Sequence, residues 1–162
     1  MDKYYYISIN FHNQTKSAIK NELDKVFTPD MLYKSEVISY IDGIVVSNLH
    51  LTLFYGLTEP NDQLRQYIKA LKIDTIKLGK IKLKRGYKGL YKFAYVEVLD
   101  EDGVLKSLHD SFIQFRYEKE VQQSDFFPHL TLAYLQTETP TNLIEEVIIP
   151  KTLVVESITL EI

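Results

Sequence analysis

The tetrapeptide HLTL occupies residues 50–53 of this chain and recurs at residues 129–132. Each copy lies in an apolar run that is typical of a buried strand. Because side chains alternate along a strand, the His and the Thr of each copy share one face, and the two Leu share the other. The two predicted pairs are His50 with Thr52, and His129 with Thr131.

Matching residues continue beyond the tetrapeptide. Tyr follows each His at +5, Thr at +8, Glu at +9 and Leu at +14. The matched pairs are Tyr55 and Tyr134, Thr58 and Thr137, Glu59 and Glu138, and Leu64 and Leu143. The spacing between the two His is about half of the 162-residue chain. The repeat therefore predicts two lobes about a pseudo-twofold axis, with a central cleft between them.

Length and composition predict one globular domain spanning residues 1–162. The chain has 45% apolar residues and no Cys, which excludes disulfides, thiolate chemistry and Cys-ligated zinc. No run of 18 apolar residues exists, so a cytoplasmic protein is expected, in the host cytoplasm if the protein is viral. The net charge of -3 argues against binding long nucleic acid, although it allows a small nucleotide ligand. No membrane and no obligate protein partner are expected.

Hydrophobic periodicity predicts mixed strands and helices, and so the α+β class. The predicted strands cover residues 4–11, 37–46 (with a turn at 42–43), 76–83, 90–99 and 153–162, besides the two HLTL strands. The predicted helices cover residues 13–27, 60–71, a segment after 103, and a short segment at 142–147.

These motifs resemble those of the 2H phosphoesterase superfamily, which carries two His-x-Thr motifs. The first copy, followed by Tyr55 and Gly56, is similar to the first motif of the family, and Phe127-Pro128 precedes the second copy. Residues 102–109 and 154–160 resemble the helix-leading segment and the closing strand. Residues 52–56, TLFYG, look most like the phage anti-CBASS nucleases, which are relatives of LigT-like 2′,5′ RNA ligases and cyclic phosphodiesterases.

The resemblance implies a bilobal fold in which all four motif residues face the cleft and no metal or other cofactor is needed. In-line cleavage of a phosphodiester needs one proton removed and one delivered, and two imidazoles can do both near neutral pH. Thr52 and Thr131 can donate hydrogen bonds to the non-bridging oxygens. Which of His50 and His129 is the base stays open.

Further residues are candidates for substrate binding. Residues 77–92 are rich in Lys and Tyr, and a nucleotide wall and a solvated edge hairpin are both compatible with them. Within this stretch Arg85, Tyr87 and Lys88 are the candidate contacts. The remaining candidates are Tyr6 to stack on a base, Phe54 to line the cleft and Glu156 to accept from a base edge. Packing of Tyr6 and a rim position for Glu156 are the alternatives.

His12 and His109 lack a partner hydroxyl, so they are predicted to be surface or packing residues. A metal site built from His50, His129 and acidic residues is conceivable, but no His-x-x-x-His or carboxylate cluster indicates one.

Three functions are compatible with these features. The first is cleavage of small cyclic nucleotide or oligonucleotide second messengers, as an antagonist of nucleotide-based antiviral defence. The second is chemistry on a short RNA end, either 2′,3′-cyclic phosphate hydrolysis or 2′,5′ ligation. The third is sequestration of a nucleotide without turnover. The presence of both His and both Thr argues against this third function.

Overall fold

A computed structural model of the chain describes residues 3–121 and 125–162. Its centre is a six-stranded sheet in the order β2-β1-β6-β3-β4-β5, and every pairing is antiparallel. The strands are β1 (Tyr5–Phe11), β2 (His50–Leu57), β3 (Thr75–Arg85), β4 (Lys92–Leu99), β5 (His129–Leu135) and β6 (Thr152–Glu161). The α-helices are α1 (Asn13–Val26), α2 (Asp62–Ala70) and α3 (Val104–Ser111). The α+β prediction is confirmed.

The sheet has two halves, β2-β1-β6 and β3-β4-β5, and each half has one HLTL strand at its outer edge. The halves join through a short pairing of residues 75–77 of β3 with residues 152–154 of β6. We call them lobe one and lobe two. This order places the two motif strands at opposite ends of one curved sheet, where they can face each other across a cleft.

The apolar residues of both motifs form part of one core. Leu51, Leu53, Leu130 and Leu132 are all fully buried, as alternation along a strand predicts. Helices α1, α2 and α3 contribute further buried residues, namely Ile19, Leu23, Leu64, Ile68 and Leu105. The motif strands are therefore fixed on one face by packing, and the other face is left for polar side chains.

Side-chain caps fix two of the helix starts. The Asn61 side chain accepts from Leu64 N at 2.9 Å at the start of α2, and the Asp100 carboxylate accepts from Leu105 N and Lys106 N at the start of α3. Among the described residues, no helix is long and apolar enough to cross a membrane.

Two predicted elements differ in the structure. Residues 37–46 make only isolated bridges rather than a strand, because Gly43 turns the chain with a φ of +58° and the segment crosses the outer edge of β5. The predicted helix at 142–147 is a single 3-10 segment, Thr141–Glu146. Six residues are too few for a stable α-helix, so the second repeat unit lacks the full helix of the first.

Candidate active site

Both His-Thr pairs line one cleft with a volume of about 510 Å³. The surrounding wall is rich in aromatic side chains. The other lining residues are Tyr4, Tyr6, Tyr40, Val45, Asn48, Tyr55, Tyr134 and Ile162. The lining includes no Lys, Arg, Asp or Glu from the described part of the chain. The cleft therefore combines titratable imidazoles and hydroxyls with uncharged aromatic walls.

A β-bulge in β2 decides which side chains share the cleft. Ser8 of β1 pairs with Thr52 and Ile7 pairs with Phe54, so Leu53 is an extra residue with no partner opposite. The extra residue reverses the alternation, and the next residue on the face of His50 and Thr52 is not at position 54. It is Tyr55, which lines the cleft.

The prediction that Phe54 lines the cleft is therefore wrong. Its side chain is only 2% exposed and packs in the core beside His109, Phe112 and Tyr117, at ring-centroid distances of 5.2, 5.8 and 5.4 Å. The physical reason is the bulge, because strict alternation holds only for an uninterrupted strand.

Strand β5 has a bulge at the equivalent position. Tyr95 of β4 pairs with Thr131 and Ala94 pairs with Ala133, so Leu132 is the extra residue. Tyr134 consequently returns to the face of the second His-Thr pair and lines the cleft. The Tyr that recurs at +5 in the sequence is thus explained by two matched bulges.

Each bulge carbonyl accepts a hydrogen bond from outside the sheet. In lobe one, His109 of α3 donates from Nδ1 to Leu53 O at 2.7 Å. In lobe two, Val45 N donates to Leu132 O at 2.9 Å. His109 also stacks on Phe126, with ring centroids 4.4 Å apart. It is a packing residue, as the sequence predicts, and it also stabilises the bulge beside Thr52.

Replacing His109 with Leu is expected to lower the free energy of unfolding by about 1–3 kcal/mol, because the carbonyl of Leu53 loses its donor in a partly buried place. His109→Asn can restore a donor near the position of Nδ1 and should recover part of the loss. Urea unfolding of both variants measures this difference. Equal destabilisation by Leu and by Asn would assign the effect to lost packing and not to the hydrogen bond.

The two motif imidazoles are held in the same way. His50 Nδ1 lies 2.8 Å from Asn48 O, and His129 Nδ1 lies 2.9 Å from Phe127 O. A carbonyl only accepts, so Nδ1 of each ring carries the hydrogen. Nε2 of each ring is then the atom that exchanges a proton: it accepts one when the ring is neutral and donates one when it is charged.

A polar row beside the first motif was not predicted from the sequence. Asn10 of β1 pairs with His50 of β2, and Ser8 pairs with Thr52. On the other side of β1, Asn10 pairs with Ser157 of β6 and Ser8 pairs with Thr159. Asn10 Nδ2 donates to Thr159 Oγ1 at 2.8 Å, and Thr159 Oγ1 donates to Glu161 at 2.7 Å. The signal was present as alternating polar residues in β1 and β6, but only the register shows that they face the same way.

Two tyrosines of the cleft, Tyr134 and Tyr6, are held as neutral phenols. Burial raises the pKa of Tyr134 to about 12, with smaller contributions from Tyr40 and Tyr91. Burial also raises the pKa of Tyr6, followed by the influence of Glu161 and of Tyr55. These hydroxyls therefore remain hydrogen-bond donors throughout the neutral range.

Of the remaining residues predicted to contact substrate, one lines the cleft and three do not. Tyr6 lines the cleft, with its ring 5.9 Å from that of His50. Arg85, Tyr87 and Lys88 lie at the end of the β3–β4 hairpin and do not line the cleft; Tyr87 is 66% exposed, with Lys88 Nζ 5.2 Å from its ring. The prediction that they form the cleft wall needs correction, because the hairpin extends beyond it.

Glu156 lies on β6 away from the cleft, and the expected contact with a base edge needs correction. Asn10 pairs with Ser157 and Phe11 pairs with Val155, so Glu156 is the extra residue of a bulge in β6, and it is not among the residues that line the cleft. Its exposed carboxylate lies 3.9 Å from His12 Nδ1. Over residues 3–121 and 125–162, no three potential metal-ligating side chains come together.

No protein-family model and no curated protein matches the sequence. Solved structures do match over nearly the whole chain. A phosphoesterase shares 17% identity, covering 98% of this chain and 86% of its own, with a TM-score of 0.55. Usb1 of Kluyveromyces marxianus shares 12% identity, covering 99% and 94%, with a TM-score of 0.57.

A third match is LigT of E. coli in complex with 3′-AMP, at 17% identity, covering 96% of this chain and 85% of its own, with a TM-score of 0.53. The phosphoesterase, Usb1 and LigT are all 2H phosphoesterases. At these low sequence identities the likeness shows a shared fold and nothing further. The protein therefore has the bilobal α+β fold of the LigT-like 2H phosphoesterases.

Proposed function

We propose that the protein is a metal-independent phosphodiesterase that acts on small cyclic nucleotides or oligonucleotides. The observation that carries this proposal is the pair of motif imidazoles. His50 and His129 line one cleft, each beside a Thr hydroxyl and each with Nδ1 held by a backbone carbonyl two residues earlier. A general acid and a general base in one cleft are what an in-line displacement at phosphorus requires.

In the proposed reaction, Nε2 of one neutral His takes the proton from the attacking oxygen, which belongs to a ribose 2′-hydroxyl or to water. The oxygen forms its bond to phosphorus as the bond to the leaving oxygen breaks. The other His, charged at the start, gives its Nε2 proton to that leaving oxygen. Thr52 and Thr131 donate to the non-bridging oxygens, where negative charge builds in the transition state.

The walls of the cleft favour a small ligand with nucleobases. Five of the lining residues are tyrosines, whose rings provide stacking surfaces for bases of any identity. The lining has no cation within the described residues, which favours a singly charged diester over a doubly charged terminal phosphate. As its biological role we propose antagonism of nucleotide-based antiviral defence, on the resemblance of residues 52–56 described above.

A second candidate is a 2′,3′-cyclic phosphodiesterase or ligase acting on a short RNA end. The observation that favours it is the fold shared with LigT, whose structure was determined with bound 3′-AMP. A short RNA end needs little protein surface, so the net charge of -3 is compatible with it.

A turnover screen in excess chelator tests the proposal. The protein is incubated with cyclic di- and trinucleotides and with an RNA oligomer ending in a 2′,3′-cyclic phosphate, and products are read by mass spectrometry. Cleavage of the cyclic messengers is the expected result and gives the linkage. Conversion of the RNA end alone would establish the second candidate. Tight binding without any product would contradict both and indicate a sequestering protein.

A further inference from the structure

The face that carries the second His-Thr pair continues beyond the cleft onto β4 and β3. Thr131 pairs with Tyr95, which pairs with Lys82, and Tyr134 pairs with Phe93, which pairs with Lys84. Directly paired residues of an antiparallel sheet point to the same side. The cleft-facing side of lobe two is therefore an extended surface that runs across three strands.

The part of this surface next to the motif holds Glu97, which pairs with His129, and a group of aromatic rings. Tyr95 lies 5.8 Å from the ring of His129 and 5.7 Å from that of Phe93. Phe127 stacks beside His129 at 5.3 Å and is 49% exposed. We call Phe93, Tyr95, Phe127 and Lys84 the β4 platform. Phe127 is exposed, Phe93 and Tyr95 are partly exposed, and the platform begins beside His129.

The cations of this surface are not equivalent. Lys82 Nζ is paired with the Glu97 carboxylate at 2.6 Å, so its charge is largely compensated. Lys84 is exposed and forms no ion pair with any residue of the described segments. Lys84 therefore leaves one uncompensated positive charge at the far side of the aromatic rings.

Lobe one has different chemistry in the same places. There Asn10 and Ser8 pair with the motif, and Ser157 and Thr159 of β6 follow. Asn10 Nδ2 donates to Ser157 Oγ at 3.4 Å, and the hydroxyls of Ser8 and Thr159 share a hydrogen bond of 3.2 Å. The pseudo-twofold relation of the motifs therefore does not extend to their neighbours. A surface of rings ending in a cation suits stacking of a base and attraction of a phosphate, whereas the hydroxyls and amide of lobe one provide neither a ring nor a positive charge.

We propose that the β4 platform is a subsite for a second nucleotide, adjacent to the phosphodiester in the cleft. The base packs on the neighbouring rings of Phe93 and Tyr95, and the next phosphate contacts Lys84, which pairs with Phe93. This inference rests on the proposed function and narrows its substrate class. It predicts a ligand with at least two nucleotides, so a mononucleoside cyclic phosphate leaves the platform empty.

Binding measurements separate this inference from turnover. His50→Gln/His129→Gln protein is titrated with 3′,5′-cyclic AMP and with cyclic di- and triadenylate by calorimetry. We expect the cyclic dinucleotide to bind about 10-fold more tightly than the mononucleotide, because stacking of one additional base is gained. Equal affinity for one and two nucleotides, or no binding of any of them, would overturn the subsite.

Lys84→Gln tests the phosphate contact on the same background. It should weaken cyclic dinucleotide binding several-fold and reduce the slope of log affinity against log salt by about 1. The mononucleotide affinity should stay unchanged. Lys69→Gln on α2 is the matched control, since it removes the same charge from an exposed site on a helix. Identical salt slopes for the two variants would refute the contact with Lys84, whether or not the wild-type protein shows turnover.

Phe93→Leu tests the aromatic part while keeping an apolar side chain. We expect it to weaken the dinucleotide more than the mononucleotide. An equal effect on both ligands would contradict stacking on the platform. Absence of turnover in the wild-type protein would instead refute the proposed function and leave these binding results interpretable.

Discussion

Replacing His50 or His129 with Gln is expected to lower turnover by about 10²- to 10⁴-fold, the usual contribution of a general acid or base. Gln fits a similar space and can form hydrogen bonds, but it cannot take up or release a proton near neutral pH. Both imidazoles line the cleft, each with Nε2 as the exchanging atom. The loss should fall on kcat, with the substrate Kd little changed.

His12→Gln is the matched control for these variants. His12 is exposed and lies near Glu156, outside the residues that line the cleft, so its replacement should leave turnover unchanged. The measurement is initial rate together with substrate Kd for all three proteins. If either motif variant lost binding in proportion to turnover, that His would be a binding residue and not an acid or base.

Replacing Thr52 or Thr131 with Val should lower turnover by about 10²- to 10³-fold, the range seen when one donor to a developing oxyanion is removed. Val keeps the branched shape and removes only the hydroxyl. Both Thr lie two residues after a motif His and line the same cleft, so we expect them to reach the same phosphate as the imidazoles. Thr→Ser at either position keeps the donor and should retain most of the activity.

The exposed Thr75 of β3 offers a control for the same change of side chain. Thr75→Val should have the wild-type rate. The results to compare are single-turnover rates of the Val and Ser variants at each position. Equal losses for Val and Ser at position 52 or 131 would show that the position matters for packing, and that its hydroxyl does not act in the reaction.

Hydrophobic periodicity predicted the α+β class, and the repeated tetrapeptide predicted two His-Thr pairs on a shared cleft. Strand alternation placed His50 with Thr52 correctly, because no irregularity lies between them. In the structure both His-Thr pairs line the same cleft. The matched positions of Tyr55 and Tyr134 in the two repeats also indicated the bulges, since a Tyr at +5 reaches the His face only after a bulge.

The remaining contacts depend on register, which the sequence does not contain. Phe54 was misplaced because a bulge of one residue reverses every later side chain of a strand. Glu156 was misplaced because it is the extra residue of a bulge in β6, between Val155, which pairs with Phe11, and Ser157, which pairs with Asn10. The platform on β4 arises from three strands that are distant in sequence, so no local pattern predicts it.

The central claim is that two imidazoles, acting as acid and base, cleave a phosphodiester in the cleft. The most direct test is the pH profile of kcat/KM in excess chelator, measured for the wild-type protein and for each single His→Gln variant. The account predicts full wild-type activity in chelator and a bell-shaped profile set by the His pair, and each variant should lose one limb of that profile. Activity that disappears in chelator and returns with a divalent metal, or variants with unchanged profiles, would contradict it.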